Sequence, residues 1–305
     1  MKKGIKRSLA TAAVCAVIGV TCLAISLPFG GRAQAAEIVE KFGAPIRLNT
    51  LLDNAISKVS SISVENVGTV KTGKNVMVIA KGKDIKDVEL EIGAVELVIE
   101  KSSDKNISYK ADDSVKASVD VNGNDLEIKA ERKEKSLTKL SSAEFVLYLP
   151  DDMNIDNLKI NAGATSLECN VELDCDKLAM NVGAAEMDFN KEVSVDKANI
   201  TVGAGSVNFD KFIAKEADME VGMGQIQLNG DIKDDLDLKC SMGNVNMSLT
   251  SDEDDHDYEY NVGMGTLNIG SITSAGASSE RKIDNDSSSK YKIELGMGSV
   301  NINFD

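Results

Sequence analysis

The chain has 305 residues, 34 of them basic and 49 acidic, for a formal charge of −15; it has no tryptophan and one histidine. So acidic a chain repels phosphate backbones, which sets nucleic-acid binding aside. His256 alone supplies neither a multi-histidine zinc site nor a ready Ser-His-Asp triad. A hydrophobic content of 42% is enough for a packed core and too high for a disordered polymer.

Residues 1–35 read as a signal peptide or an N-terminal membrane anchor. Lys2, Lys3, Lys6 and Arg7 precede a mostly apolar stretch from Leu9 to Phe29. Pro28, Gly30 and Gly31 then break any helix, and Ala33-Gln34-Ala35 offers the small residues of a cleavage site. About 20 apolar residues also span a bilayer, so retention as an anchor stands beside cleavage after Ala35. Cys15 and Cys22 both lack a lipoprotein-type context. Cleavage removes Lys2, Lys3, Lys6, Arg7 and Arg32 and no acid, taking the formal charge from −15 to −20. Such a surface attracts cations and cationic peptides.

Residues 36–60 form an N-terminal linker with a capping helix, since Leu48, Leu51, Leu52, Ile56 and Val59 share one helical face. Residues 61–157 form an N-terminal β part with less regular alternation and a turn signal at Asn122-Gly123-Asn124. It closes with the strand at Val146, ended by Pro150, which leads into Ile160.

Residues 158–305 are seven copies of one repeat. Their centres read NAGATSLEC, NVGAAEMDF, TVGAGSVNF, EVGMGQIQL, KCSMGNVNM, NVGMGTLNI and ELGMGSVNI, and an earlier copy, EIGAVELVI, surrounds Gly93. Aligned on the first corner glycine, Ser241 standing in for it once, five columns are apolar. They lie five, three and one positions before it and four and six after it, and polar residues fill the gaps. That alternation is a strand with one buried face on each side of a corner. The columns at minus one and plus four differ by an odd number of residues, so the G-[AM]-[GA] segment must turn to return both strands to one core. Glycine supplies the backbone freedom such a corner needs. Like residues at like positions predict an all-β, single-stranded parallel β-solenoid of about 20-residue coils; an antiparallel meander of hairpins is the competing arrangement. Two copies carry insertions, Ser251–Asp257 and Ser271–Lys290, both expected as exposed loops.

No residue stands out as catalytic, cofactor-binding or metal-binding, and no cofactor is implied. Cys169, Cys175 and Cys240 occupy columns that hold aliphatics elsewhere, so they read as small buried hydrophobes. Met223, Met242, Met264 and Met297 share a corner column with Ala94, Ala164, Ala184 and Ala204. Corner packing is the expectation there, against a thioether ladder for a soft metal such as Cu(I). Asn208, Asn246, Asn268 and Asn301 form a polar ladder of stacked amides. The acidic run Ser251–Asp257 lacks the spacing of an EF-hand and reads as a solvated loop rather than a Ca²⁺ site.

The export segment, the Pro150-Asp151-Asp152 passage between Val146 and Ile160, and the x-Val-Gly-x-Gly-x-Val-x-(Phe/Ile) copies resemble the bacterial β-strand-repeat "putative adhesin" family, a domain-of-unknown-function group, over residues 60 to 305. The resemblance implies an all-β solenoid in the cell envelope, linked in some relatives to envelope stress and antimicrobial-peptide responses, and it carries over no catalytic motif. The expected function is therefore that of a non-enzymatic exported protein. It acts as an adhesin, scaffold or stress-response modulator on a cell-envelope component, a protein or a cationic peptide. It touches a membrane only through an N-terminal anchor. The alternative is a glycan-acting β-helix enzyme, a hydrolase or lyase, which needs two carboxylates in a cleft.

Overall fold

A computed structural model describes residues 73–133, 143–275 and 279–304. The export segment and the helix expected within 36–60 lie outside the described residues. Apart from strands, the described residues form only two three-residue 3-10 turns, Gly82–Asp84 and Glu253–Asp255. All five apolar columns are buried in all eight copies.

The strands form one 21-stranded sheet, parallel through its middle. Each copy contributes one strand before its corner and one after it, and each strand pairs with its equivalent in the next copy. Leu158, Leu178, Ala198, Ala217 and Leu236 thus lie in one row. Leu167, Met187, Val207, Ile226 and Val245 lie in the other. Both rows belong to one continuous core. Phe189 and Phe209 stack across neighbouring copies with ring centroids 4.7 Å apart. The long strands Glu186–Val202 and Ser206–Val221 each carry the end of one copy and the start of the next. Their pairing slips by one residue between Phe189 and Glu192, a bulge that absorbs the difference between 20- and 19-residue copies.

The copies do not stack in chain order at either end. Asp87–Ile92 and Glu96–Lys101 lie inside a later rung, Asp125–Arg132 and Glu144–Leu149, and pair on their other side with Ile155–Ala162 and Ser166–Cys169. That later rung is a further copy without a glycine corner, which is why glycine-centred alignment passes over it. At the other end the final copy, Lys290–Leu295 and Ser299–Phe304, enters between two earlier ones. Leu236–Cys240 and Asn244–Leu249 lie on one side of it, Asp257–Val262 and Thr266–Ile269 on the other. Both exchanges follow long insertions, at 102–124 and 270–289, which give the chain enough length to pass over one rung.

The insertion at Ser271–Lys290 is not a bare loop. It holds the strands Ile272–Ala275 and Ser279–Ile283, which pair antiparallel with Thr266–Ile269 and Asp257–Val262. At the opposite end Asn106–Ala111, Val115–Asn122 and Gly73–Lys81 also pair antiparallel. The turn at Asn122-Gly123-Asn124 is real: Asn122 pairs with Asp125, and Gly123 takes the left-handed conformation at φ 65°.

The corner glycines serve a purpose other than backbone freedom. Among the described glycines, only Gly123, Gly230 and Gly270 have positive φ, and none of them is at a corner. A Cβ on Gly183, Gly222 or Gly263 would instead stand 2.9 Å from a carbonyl oxygen of the adjacent copy. On Gly224, Gly243 or Gly298 it would come closer still. At these positions glycine is required because the corners nest against each other.

Candidate functional site

The outward sides of the strands form two faces of different chemistry. Before the corner, the rows mix charges and pair them: Lys159 with Glu89 at 2.6 Å, Lys129 with Glu91 at 3.4 Å, Lys292 with Glu294 at 3.2 Å and Lys282 with Glu259 at 3.3 Å. Such solvent-facing pairs add little stability. After the corner, the N-terminal copies present carboxylates, among them Glu144, Glu96, Glu168, Glu186 and Asp188. Partial burial, reinforced by Glu144, Glu168 and Asp112, raises the Glu96 carboxyl above its ordinary range. Burial and Asp188 do the same for Glu186.

From Ser206 onward the first two outward rows after the corner carry no charge. One row runs Ser206, Gln225, Asn244, Ser299, Thr266, and the next runs Asn208, Gln227, Asn246, Asn301, Asn268. Asn229, Ser248 and Asn303 begin a third, which is charged at its acidic end by the exposed Asp210. The expected amide ladder is present: Asn268 Nδ2 donates to Asn301 Oδ1 at 2.7 Å, and Asn301 Nδ2 to Asn246 Oδ1 at 2.9 Å. Asn208 Nδ2 joins it to the acidic half by donating to Asp188 Oδ1 at 2.7 Å. Gln227, absent from the asparagine pattern, fills the gap between Asn208 and Asn246. The result is a pair of neutral, hydrogen-bonding rows in a strongly acidic protein.

Cys169, Cys175 and Cys240 are free and buried, as their columns predict. Burial pushes the Cys169 and Cys175 thiols up to about 12 and Cys240 to about 11, so none is a reactive thiolate. The corner methionines depart from expectation: Met223, Met242, Met264 and Met297 are 40% to 47% exposed rather than packed.

The acidic run Ser251–Asp257 is only partly a solvated loop. Glu253 accepts hydrogen bonds from the Ser271 backbone N–H at 2.8 Å and the Ser271 hydroxyl at 2.7 Å, and Asp257 accepts from the Asn285 N–H at 2.8 Å. His256 is buried between two hydroxyls, with Nδ1 2.6 Å from Ser289 Oγ and Nε2 3.0 Å from Ser251 Oγ. Its ring stacks on Tyr291 at 4.1 Å. The Ser289 hydroxyl donates to the Asp234 carbonyl, so it accepts from Nδ1–H. That leaves Nε2 to accept from Ser251, and the Ser289 oxygen is committed to a structural network.

Several of the acids that could serve glycan cleavage are similarly engaged. In the open hollow around Asp87, Asp120 and Asp125, Asp87 accepts from Asn157, while Glu89 and Glu127 pair with Lys159 and Lys129.

Solved structures similar to this chain include a "putative adhesin" from Bacteroides fragilis NCTC 9343. It is 13% identical, with 76% of this chain and 99% of that one covered and a TM-score of 0.43. A "putative adhesin" from Parabacteroides merdae ATCC 43184 is 16% identical, with coverages of 78% and 98% and a TM-score of 0.38. A "putative cell adhesion protein" from Clostridium sporogenes ATCC 15579 is 14% identical, with coverages of 77% and 100% and a TM-score of 0.30. No curated protein matches. The family model that does match, Toastrack DUF4097, aligns with residues 85–269, and the chain belongs to that family.

Proposed function

We propose that this chain is an exported, non-enzymatic cell-envelope protein: a β-solenoid that works as an adhesin or scaffold through its outward face. The observation carrying this reading is the two uncharged amide and hydroxyl rows that begin at Ser206 and Asn208, aligned by parallel pairing within a chain of formal charge −15. A surface of neutral donors and acceptors suits a polar, uncharged partner such as an envelope polymer. It also lets the protein dock without its own charge opposing contact. Export rests on the basic, apolar, small-residue order of residues 1–35.

The test is binding of the purified full-length chain to isolated cell envelopes and to cationic antimicrobial peptides, at two salt concentrations, with and without Ca²⁺. Envelope binding that resists salt is expected. It should weaken at least tenfold in a Gln227→Glu/Asn246→Asp/Asn301→Asp variant, which places carboxylates on the neutral face. Salt-sensitive binding of peptides alone would replace the adhesin reading with that of a stress-response modulator acting through its acidic rows. Turnover of envelope glycans would overturn the non-enzymatic reading.

A further inference from the structure

The corner column is solvent-exposed in every copy where it holds alanine: Ala94, Ala164, Ala184 and Ala204. The fold therefore asks for nothing large there. Four successive rungs nevertheless carry methionine, and those side chains stay exposed, whereas Met180, Met187, Met219 and Met247 are buried in the core. Packing accounts for the second group and not for the first.

The four exposed methionines are neighbours. Met223, Met242 and Met297 donate their backbone N–H groups to Gly203, Gly222 and Ser241 of the preceding rungs at 2.7 to 2.8 Å, and Met264 donates to Gly296 at 2.8 Å. Their order in space is thus Met223, Met242, Met297, Met264. The residue after each is a glycine, and three of the four are also preceded by one, so no adjacent side chain shields the thioethers.

We propose that Met223, Met242, Met297 and Met264 form a thioether ridge that binds soft monovalent cations, Cu(I) or Ag(I). Thioether sulfur is a soft ligand that selects such ions over hard divalent ones. Adjacent rungs are separated by about 4.8 Å, so an ion midway between neighbouring sulfurs lies about 2.4 Å from each, close to the ~2.3 Å of metal–sulfur bonds. Methionine's rotatable bonds let neighbouring sulfurs converge on one ion. The formal charge of −15 raises the cation concentration at the surface. Among the described residues, none of the cysteines Cys169, Cys175 and Cys240 is more than 3% exposed, so they do not compete for a soft ion.

The test uses the full-length chain. Ag(I), a redox-silent probe, is titrated by calorimetry, and Cu(I) is titrated anaerobically against a chromophoric chelator. The chain should hold at least one Ag(I), and affinity should fall tenfold or more in Met223→Leu/Met242→Leu/Met297→Leu/Met264→Leu, which keeps apolar bulk but removes sulfur. The buried substitution Met247→Leu should leave affinity unchanged. As a readout independent of any variant's folding, Ag(I) should protect the four ridge methionines of the wild-type chain from peroxide oxidation, measured by peptide mass spectrometry. No uptake by the wild type, equal uptake by the quadruple variant, or undiminished ridge oxidation would overturn the proposal.

Discussion

His256 occupies a position where a neutral ring is worth more than a charged one. Both nitrogens are engaged by hydroxyls and the ring stacks on Tyr291, so burial holds its pKa below the ordinary 6.5, against the pull of Asp255 and Asp231. A depressed histidine pKa makes the unfolded state the stronger proton binder at mildly acid pH. Its stabilising effect is complete above about pH 6.5 and is lost as pH falls toward the folded value. The half-buried carboxyls of Glu96, Glu186 and Glu220 are shifted upward and act in the opposite sense, favouring the folded state as they protonate. Chemical denaturation at pH 7 and pH 5 should therefore show a larger loss for the wild type than for His256→Gln. Equal losses would mean that the ring takes up its proton without cost. The sequence placed this residue in an acidic, polar run and could not show that Tyr291 and Ser289, 33 to 35 positions later, close over it. The cysteines were legible for the opposite reason, because their columns repeat and their neighbours in space are their neighbours in the alignment.

At the scale of the element, the corner combines what the sequence reveals with what it hides. Its position follows from the odd spacing of the flanking apolar columns, and all forty column positions are indeed buried. Its mechanism does not follow, because close approach between copies is a property of the stack. Gly298 illustrates it: an added Cβ would run into the backbone carbonyl of Gly243 and the sulfur of Cys240. Gly298→Ala should destabilise the protein by about 2–4 kcal/mol, as overpacking against rigid backbone does. Gly123→Ala, which meets open space at φ 65°, should cost only about 1 kcal/mol. Comparable melting shifts for the two variants would refute the nesting argument. The strands at the stack's ends were hidden for another reason. Ile272–Ala275 and Ser279–Ile283 bury neither face, so they show no alternation, and their serines and charges read as loop. As outer strands they cover edges that would otherwise invite pairing with another chain, and Glu280, Arg281 and Lys282 make the new edge charged.

At the scale of the whole molecule, the described residues form a quasi-one-dimensional stack whose rungs stabilise mainly their neighbours. In such a stack, losing an end rung is mild and losing an inner one is not. The final copy is an inner rung, paired on both sides through Lys290–Leu295 and Ser299–Phe304. Deleting residues 290–305 should therefore abolish the folded state of everything beyond Leu249, seen as new proteolytic cleavage between 250 and 289 and a lower melting temperature. Removal of the outer strands 272–283 alone should leave that region protected. Protection after the 290–305 deletion would mean that Asp257–Ile269 docks directly on Leu236–Leu249.

This placement also gives the molecule a schedule. Residues 257–269 precede residues 290–304 in the chain, so in folding from the N-terminal side the outer rung has no surface to settle on until 290–304 is in place. The neutral face and the methionine ridge are likewise incomplete, since Asn301 and Met297 arrive last and sit between partners made earlier. Docking of the outer rung is therefore tied to the arrival of residues 290–304, and a chain interrupted before them lacks both Met297 and Asn301.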